Sequence, residues 1–123
     1  MPVHIDSLDK LFSKYIRLRA NGVCEYCGRV CNPKGYHTHH FIGRRYLNTR
    51  YQPDNGAALC FSCHNLVSDF PRINQEFLTK RVGSERADEL ELIARTYKKM
   101  TSERREQIKA DLKERIKQFE QIR

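Results

Sequence analysis

The chain has 123 residues, 39% of them hydrophobic and 31% charged, which suits a single domain with one modest core. Its 23 Lys and Arg against 15 Asp and Glu give a formal charge of +8, which favours a polyanionic partner such as nucleic acid. No segment has the roughly 20 apolar residues of a membrane helix, and the N-terminus does not look like an export signal. We therefore expect a cytoplasmic protein without a membrane partner.

The first predicted element is an amphipathic helix within residues 1–22. Apolar side chains recur there at intervals of three and four residues, and Arg19 is the one polar residue among them. Asp6 or Ser7 can cap the start of the helix, and Asn21 with Gly22 supplies the left-handed conformation at which helices often end. The apolar stripe consists of Leu8, Leu11, Phe12, Tyr15 and Ile16.

The cysteines that follow indicate a metal site. Two C-x-x-C pairs, Cys24/Cys27 and Cys60/Cys63, supply four thiolates for a tetrahedral structural zinc, because this spacing lets both sulfurs of one turn reach the same ion. An odd number of cysteines in a chain without an export signal argues against a disulfide framework. Cys31 is left over, and we expect it outside the zinc site as a small apolar residue.

Residues 28–59 form a loop between the two cysteine pairs, pinned at its base if all four thiolates bind one ion. The segment "YHTHHFI" predicts a strand of a hairpin, and "GAALC" can be its return strand or a turn, with a helix beginning near Cys63. On such a strand His37 and His39 share one face while His40 points to the other. Strand geometry alone therefore leaves His37 and His39 open as a chelating pair.

The same loop carries a basic window without a single acidic residue from Gly28 to Pro53. Such a window is often only a solvated surface, but here it surrounds potential metal ligands. We expect its cations to contact DNA phosphates without reading bases. These residues are Arg29, Lys34, Arg44, Arg45 and Arg50.

After Pro71 the sequence predicts a helical extension over residues 72–123. One helix ends at Gly83, and the next begins with Ser84 as N-cap and directs Leu90, Ile93, Ala94 and Tyr97 to the core. The last helix has an apolar stripe on a highly charged rod. This stripe can pack on the chain's own core or form a homodimer through the C-terminal helices. Its members are Ile108, Leu112, Ile116, Phe119 and Ile122.

The order C-x-x-C, His-His, Asn and C-x-x-C-His resembles the HNH endonuclease superfamily, and the match covers residues 24 to about 70. Among its members the chain looks most like small bacteriophage nucleases such as the lambda Rap (NinG) recombination-nuclease family. The resemblance implies an α+β, mostly helical protein. Its ββα-metal HNH core, residues 23–71, would be stapled by a four-cysteine zinc between an N-terminal helix and the C-terminal helical extension.

The resemblance also implies a role for each matching residue. His39 and His64 would be ligands of a catalytic divalent metal, His40 the general base, and Asn55 the residue that orients the loop carrying the base. Many members have Asp at the position of His39, so the preferred ion is open among Mg²⁺, Mn²⁺, Ni²⁺ and Zn²⁺. His37 would be a bystander or a secondary phosphate contact.

These assignments predict a metal-dependent DNA endonuclease or nickase of phage origin that acts in recombination or DNA processing. An imidazole can accept a proton from water near neutral pH, and Arg44 or Arg45 can hold a phosphate oxygen. Two alternatives from other classes stay open: a zinc-stapled DNA-binding module without catalysis, and a protein-interaction adaptor that uses its helical tail.

Overall fold

The computed structural model describes residues 4–122, so residues 1–3 and 123 of the predicted terminal segments lie outside the described residues. The fold is α+β and mostly helical, as predicted. The helices are α1 Ser7–Ala20, α2 Leu47–Arg50, α3 Phe61–Asp69, α4 Pro71–Val82, α5 Ser84–Arg95 and α6 Ser102–Ile122. The strands are β1 Tyr36–His40 and β2 Gly56–Cys60, and single 3-10 turns span Pro33–Gly35 and Pro53–Asn55.

Helix α1 has the boundaries that its capping residues predict. The Asp6 carboxylate accepts from the Asp9 backbone N–H at 2.9 Å, and the Asp9 carboxylate accepts from the Asp6 N–H at 2.8 Å. This reciprocal capping box satisfies two amide donors at the helix start. The helix ends at Asn21, whose φ of 56° places it in the left-handed region.

Strands β1 and β2 form an antiparallel hairpin, and α3 follows β2 directly. The register pairs Tyr36 with Cys60 and His40 with Gly56. A Cβ at Gly56 would lie 2.7 Å from the Phe12 ring, so glycine here permits α1 to approach the sheet closely. The ring of His40 stacks on the same Phe12, with 5.1 Å between centroids. Helix α1 therefore covers the face of β1 from which His40 projects.

The apolar stripe of α6 packs against α1 within the chain. Leu112 and Ile116 are buried in the same cluster as Phe12 and Tyr15, and Lys14 pairs with Glu120 across the two helices at 3.3 Å. The side chain of Ile122, the last position of the predicted stripe, lies outside the described part of the chain. These stripe residues already pack against a helix of the same chain and so do not need a second copy to be buried. The homodimer stays a prediction.

Helices α4 and α5 complete a second apolar cluster beside the cysteines. Phe77, Leu78 and Leu90 are buried there. One prediction is wrong: α5 ends at Arg95, so Tyr97 lies beyond the helix and is 92% exposed rather than inward. The N-cap of α5 is Gly83, one residue before the predicted Ser84. No helix within residues 4–122 has the length and apolarity needed to cross a membrane.

Candidate functional site

Four cysteines come together as the sequence predicts. The sulfurs of Cys24, Cys27, Cys60 and Cys63 all lie within 4.8 Å of one another, and those of Cys27 and Cys60 are 3.9 Å apart. A tetrahedral site with Zn–S bonds of about 2.3 Å requires sulfurs about 3.8 Å apart. Donor type, number and spacing therefore fit a structural zinc, which would join the turn before β1 to the junction of β2 and α3.

Local structure favours the thiolate form that zinc requires at Cys60, the residue that caps α3. Burial opposes its ionisation, but hydrogen bonds from the Cys63 backbone and the Ser62 hydroxyl lower the pKa of Cys60 to about 6. The N–H of Cys27 also donates to the Cys24 sulfur, at 3.5 Å. Cys31 packs beside both apolar clusters and is outside the four-sulfur set, as predicted.

Three imidazoles meet in a cleft of about 760 Å³ between α1, β1 and α3. The ring centroid of His64 lies 5.3 Å from that of His37 and 5.4 Å from that of His39. Strand alternation places His37 and His39 on one face, as predicted, and so His37 is part of the cluster rather than remote from it. Among the described residues, only the cysteines bring three or more potential ligand atoms within 4.8 Å of one another, so the imidazole cluster is more open.

The ligand candidates in this cluster carry unprotonated imidazoles near neutral pH. Burial lowers the pKa of His39 and outweighs the hydrogen bond to Asn74, which raises it. Burial also lowers the pKa of His64, and the nearby charge of His37 lowers it further. A neutral imidazole is the form that binds a divalent ion. His39 and His64 could therefore hold such an ion, with His37 beside them.

His40 occupies the opposite face of β1, below α1. Burial, reinforced by the positive charge of Arg44, lowers the pKa of His40 to about 4. Its Nε2 is buried and has no hydrogen-bond partner among residues 4–122, although His40 lines the cleft. The ring also hydrogen-bonds to the Arg50 backbone, which must involve Nδ1 because Nε2 is unpaired. Nε2 is thus the lone-pair nitrogen of a neutral base.

Asn55 is fully buried and ties together the loop between the strands. Its Oδ1 accepts from the Ile42 N–H at 2.9 Å, and its Nδ2 donates to the carbonyls of Ile42 and Thr49, both at 3.0 Å. The backbone N–H of Phe41 donates to the Asn55 carbonyl at 3.0 Å. The side chain therefore fixes the backbone immediately after His39 and His40.

The Asn55 network gives a stability prediction. Asn55→Ala should lower the free energy of unfolding by about 2–4 kcal/mol, because the buried Thr49 carbonyl and the part-buried Ile42 carbonyl and N–H lose their partner. The matched change Asn65→Ala, at an exposed position of α3, should stay within about 0.5 kcal/mol of the parent. Urea denaturation measures both values. Equal stability of the two variants would mean that Asn55 does not hold the loop.

The sequence also matches a known protein family. The family model described as bacteriophage lambda NinG protein matches residues 2–122, nearly the whole chain. The chain belongs to the NinG family. Searches of curated proteins and of solved structures gave no match. The NinG match includes α1 and the helical extension, so the parts flanking the ββα unit belong to the family as well.

The basic residues of this NinG-family chain are placed unequally. Arg44 lines the cleft, whereas Arg45 is exposed and lies over the Tyr46 ring with 4.9 Å to its centroid. Arg29 and Lys34 are exposed and do not line the cleft. The DNA-contact prediction for Arg50 needs correction: its guanidinium is buried and pairs with Asp9 at 2.5 Å.

Several residues of the cleft were not among the predicted site residues, and three of them carry polar groups that the proposals below use. Lys10 and Arg17 project from α1, and Asn74 reaches in from α4. The two α1 cations could have been recognised from the sequence, because they fall on the polar side of the predicted helix. They are seven residues apart, which is about 10 Å along the helix axis. Asn74 has no sequence signal, because a lone Asn on a helix has no distinguishing spacing.

Proposed function

We propose that this chain is a metal-dependent HNH-type endonuclease or nickase that hydrolyses phosphodiester bonds of DNA in the bacterial cytoplasm, where a phage protein would act in recombination or DNA processing. The observation that carries the proposal is His40: a neutral base with an unpaired Nε2, on a ring that lines the same basic cleft as the imidazole cluster. A binding module without catalysis has no need of this arrangement.

In the proposed reaction, Nε2 of His40 removes a proton from water, whose oxygen attacks the phosphorus. The bond to the leaving oxygen breaks, and that oxygen takes a proton from solvent. The Arg50 backbone holds the His40 ring through Nδ1, and the buried Asp9–Arg50 ion pair keeps that backbone in place. The low pKa of His40 keeps Nε2 unprotonated at neutral pH, which is the state in which it can accept a proton.

His39 and His64 are the residues that would hold the catalytic divalent metal. Such an ion, when bound, stabilises negative charge on the scissile phosphate and on the leaving oxygen. Their neutral imidazoles suit Mn²⁺, Ni²⁺ or Zn²⁺ better than Mg²⁺, which prefers oxygen ligands. His37, which stacks on His64, is a candidate third ligand or a phosphate contact.

The charges of the cleft favour a phosphate backbone. Three cations line it: Lys10, Arg17 and Arg44. Asp9 is the only acidic residue among the described residues of the cleft wall, and its carboxylate is already paired with Arg50. Lys10 and Arg17 are exposed. We therefore propose that one strand of DNA lies along α1, with Lys10 and Arg17 on phosphates that flank the scissile bond.

Lys10 and Arg17 give a prediction about salt dependence. Removal of each by alanine should reduce the magnitude of the slope of log K against log salt by about 0.9, with similar losses for unrelated DNA sequences. Lys113→Ala, an exposed cation on α6 outside the cleft, is the matched control. Fluorescence anisotropy on a duplex at several salt concentrations measures the slopes. Equal slopes for Arg17→Ala, Lys10→Ala and the parent would exclude this path.

The proposed activity is tested by cleavage assays on supercoiled, linear and four-way-junction DNA with Mg²⁺, Mn²⁺, Ni²⁺ or Zn²⁺. We expect nicked or cut products that depend on the added ion. DNA retention that weakens steeply with salt, together with no cleavage under any ion, would instead support the non-catalytic zinc-stapled module. No retention at moderate salt, with a stable protein complex through residues 84–123, would support the adaptor.

A further inference from the structure

The helical extension contributes one side chain directly to the imidazole cluster. Asn74 of α4 lies 2.6 Å through its Oδ1 from Nε2 of His39, and its Nδ2 donates to the Phe41 carbonyl at 3.0 Å. We propose that Asn74 is a positioning residue that fixes His39 as the Nε2–H tautomer and so reserves Nδ1 for a divalent ion. The part of this inference that concerns the ion rests on the proposed function.

The orientation of the amide follows from its second contact. A carbonyl oxygen only accepts, so the Asn74 atom that faces the Phe41 carbonyl must be the NH₂ group. The atom that faces His39 is then Oδ1, which also only accepts. Nε2 of His39 must therefore carry the proton, and in a neutral imidazole the lone pair is left on Nδ1.

The surroundings of His39 hold the ring in this orientation. His39 is 6% exposed and lies edge-on to the rings of Phe41 and His64, with centroids 5.2 and 5.4 Å away. Ligating histidines commonly donate their second N–H to an oxygen acceptor, which orients the ring and makes the ligating nitrogen more basic. Asn74 is such an acceptor, supplied from outside the ββα unit.

Helix α4 is anchored well enough to keep Asn74 in register with β1. One turn beyond Asn74, Phe77 and Leu78 are buried, and the Phe77 ring packs on that of Phe41 with centroids 5.1 Å apart. Arg81, two turns along, pairs with Glu25 beside the cysteines at 2.9 Å. The helix is therefore fixed to both the strand end and the turn that carries Cys24 and Cys27.

The direct test uses nitrogen-15 NMR of the zinc-loaded protein without a second ion or DNA, at a pH where the imidazoles are neutral. The parent should show His39 protonated at Nε2. Asn74→Leu, which removes the acceptor, should shift His39 toward a mixture of tautomers. Asn74→Asp keeps an acceptor for His39, although it loses the donor to the Phe41 carbonyl, and should keep Nε2 of His39 protonated. Asn65→Leu on the exposed face of α3 is the control for the same substitution. A parent His39 protonated at Nδ1, or a tautomer unmoved in Asn74→Leu, would overturn the proposal.

Calorimetric titration with Mn²⁺ or Ni²⁺ tests the part that concerns the ion. Asn74→Leu should weaken binding about 10- to 100-fold, and Asn74→Asp should bind within a few-fold of the parent. A gain of more than tenfold in Asn74→Asp would instead make residue 74 a ligand and overturn the positioning role. Because the NMR measurement needs neither the ion nor DNA, the tautomer can be confirmed even if no cleavage is found, in which case the proposed nuclease alone fails.

Discussion

The His40→Ala variant should cut DNA about 10²- to 10⁴-fold more slowly than the parent, the usual contribution of a general base, while it still binds DNA. The physical reason is the loss of the unpaired Nε2, the nitrogen that would take the proton from water. Single-turnover cleavage of supercoiled plasmid and a mobility-shift assay on the same preparation measure the two quantities. The loss should appear in the cleavage rate and be absent from DNA affinity.

Two controls separate catalysis from folding in that experiment. His4→Ala makes the same substitution at an exposed histidine and should cut like the parent. His40→Gln keeps a polar side chain against Phe12 and should be slowed as much as His40→Ala, with a melting temperature close to that of the parent. Undiminished nicking by His40→Ala with Mg²⁺, Mn²⁺ or Ni²⁺ would show that His40 is not the base.

Loss of the four-cysteine site should have the largest effect on stability. Structural zinc contributes roughly 10–16 kcal/mol in zinc-finger peptides, which is as large as the total stability of an ordinary domain. Cys24 and Cys63 are buried in the cluster that includes Leu59 and Val67. Without the metal, this part of the core would lose the zinc–thiolate bonds that join its two segments. Cys63→Ser, or removal of zinc by a chelator, should therefore abolish the cooperative melting transition.

Cys31 provides the matched control for the zinc prediction. It packs beside the same cluster but lies outside the four-sulfur set, so Cys31→Ser should retain one zinc per chain and a cooperative melt. Metal analysis and circular dichroism give both readouts. If the parent protein melts in the same way after its zinc is removed, the ion has no structural role. Loss of zinc from Cys31→Ser would instead mean that the ligand set is wrong.

Local patterns predict much of this molecule. The spacing of the cysteine pairs predicts that four sulfurs come together, and Asp6, one of the two predicted capping residues, marks the helix start. Strand alternation separates His40 from His37 and His39. Each of these features depends on residues close in sequence or on two cysteine pairs that one zinc could join, and so a single sequence is sufficient to recognise them.

Features that depend on contacts between distant segments could not be read in this way. Arg50 looked like another cation of the basic window, but its partner Asp9 lies on α1 and the two are buried together. Asn74 meets His39 only because α4 packs beside the end of β1. Alternation placed His37 on the face of His39 but could not show that His64 from α3 would lie against both.

The helical extension is likewise coupled to the site in ways its sequence does not show. Arg86 on α5 pairs with Asp54, the neighbour of Asn55, at 2.6 Å. Asn48 on α2 donates to the Thr96 carbonyl at 2.6 Å, and Arg104 on α6 donates to Asn48 at 3.2 Å. These bonds attach the loop between the strands to α5, to the residue that follows it and to α6. This coupling accords with a family match that spans nearly the whole chain.

The measurement that tests the central claim most directly is strand cleavage by protein that holds one zinc per chain, before and after addition of a second divalent ion. We predict no cleavage by the zinc-loaded protein alone and cleavage once Mn²⁺ or Ni²⁺ is added. His64→Ala should keep its zinc and its DNA binding but fail to respond to the second ion. If the parent binds DNA and keeps its zinc yet cuts no substrate with any ion, the imidazole cluster is not a nuclease centre.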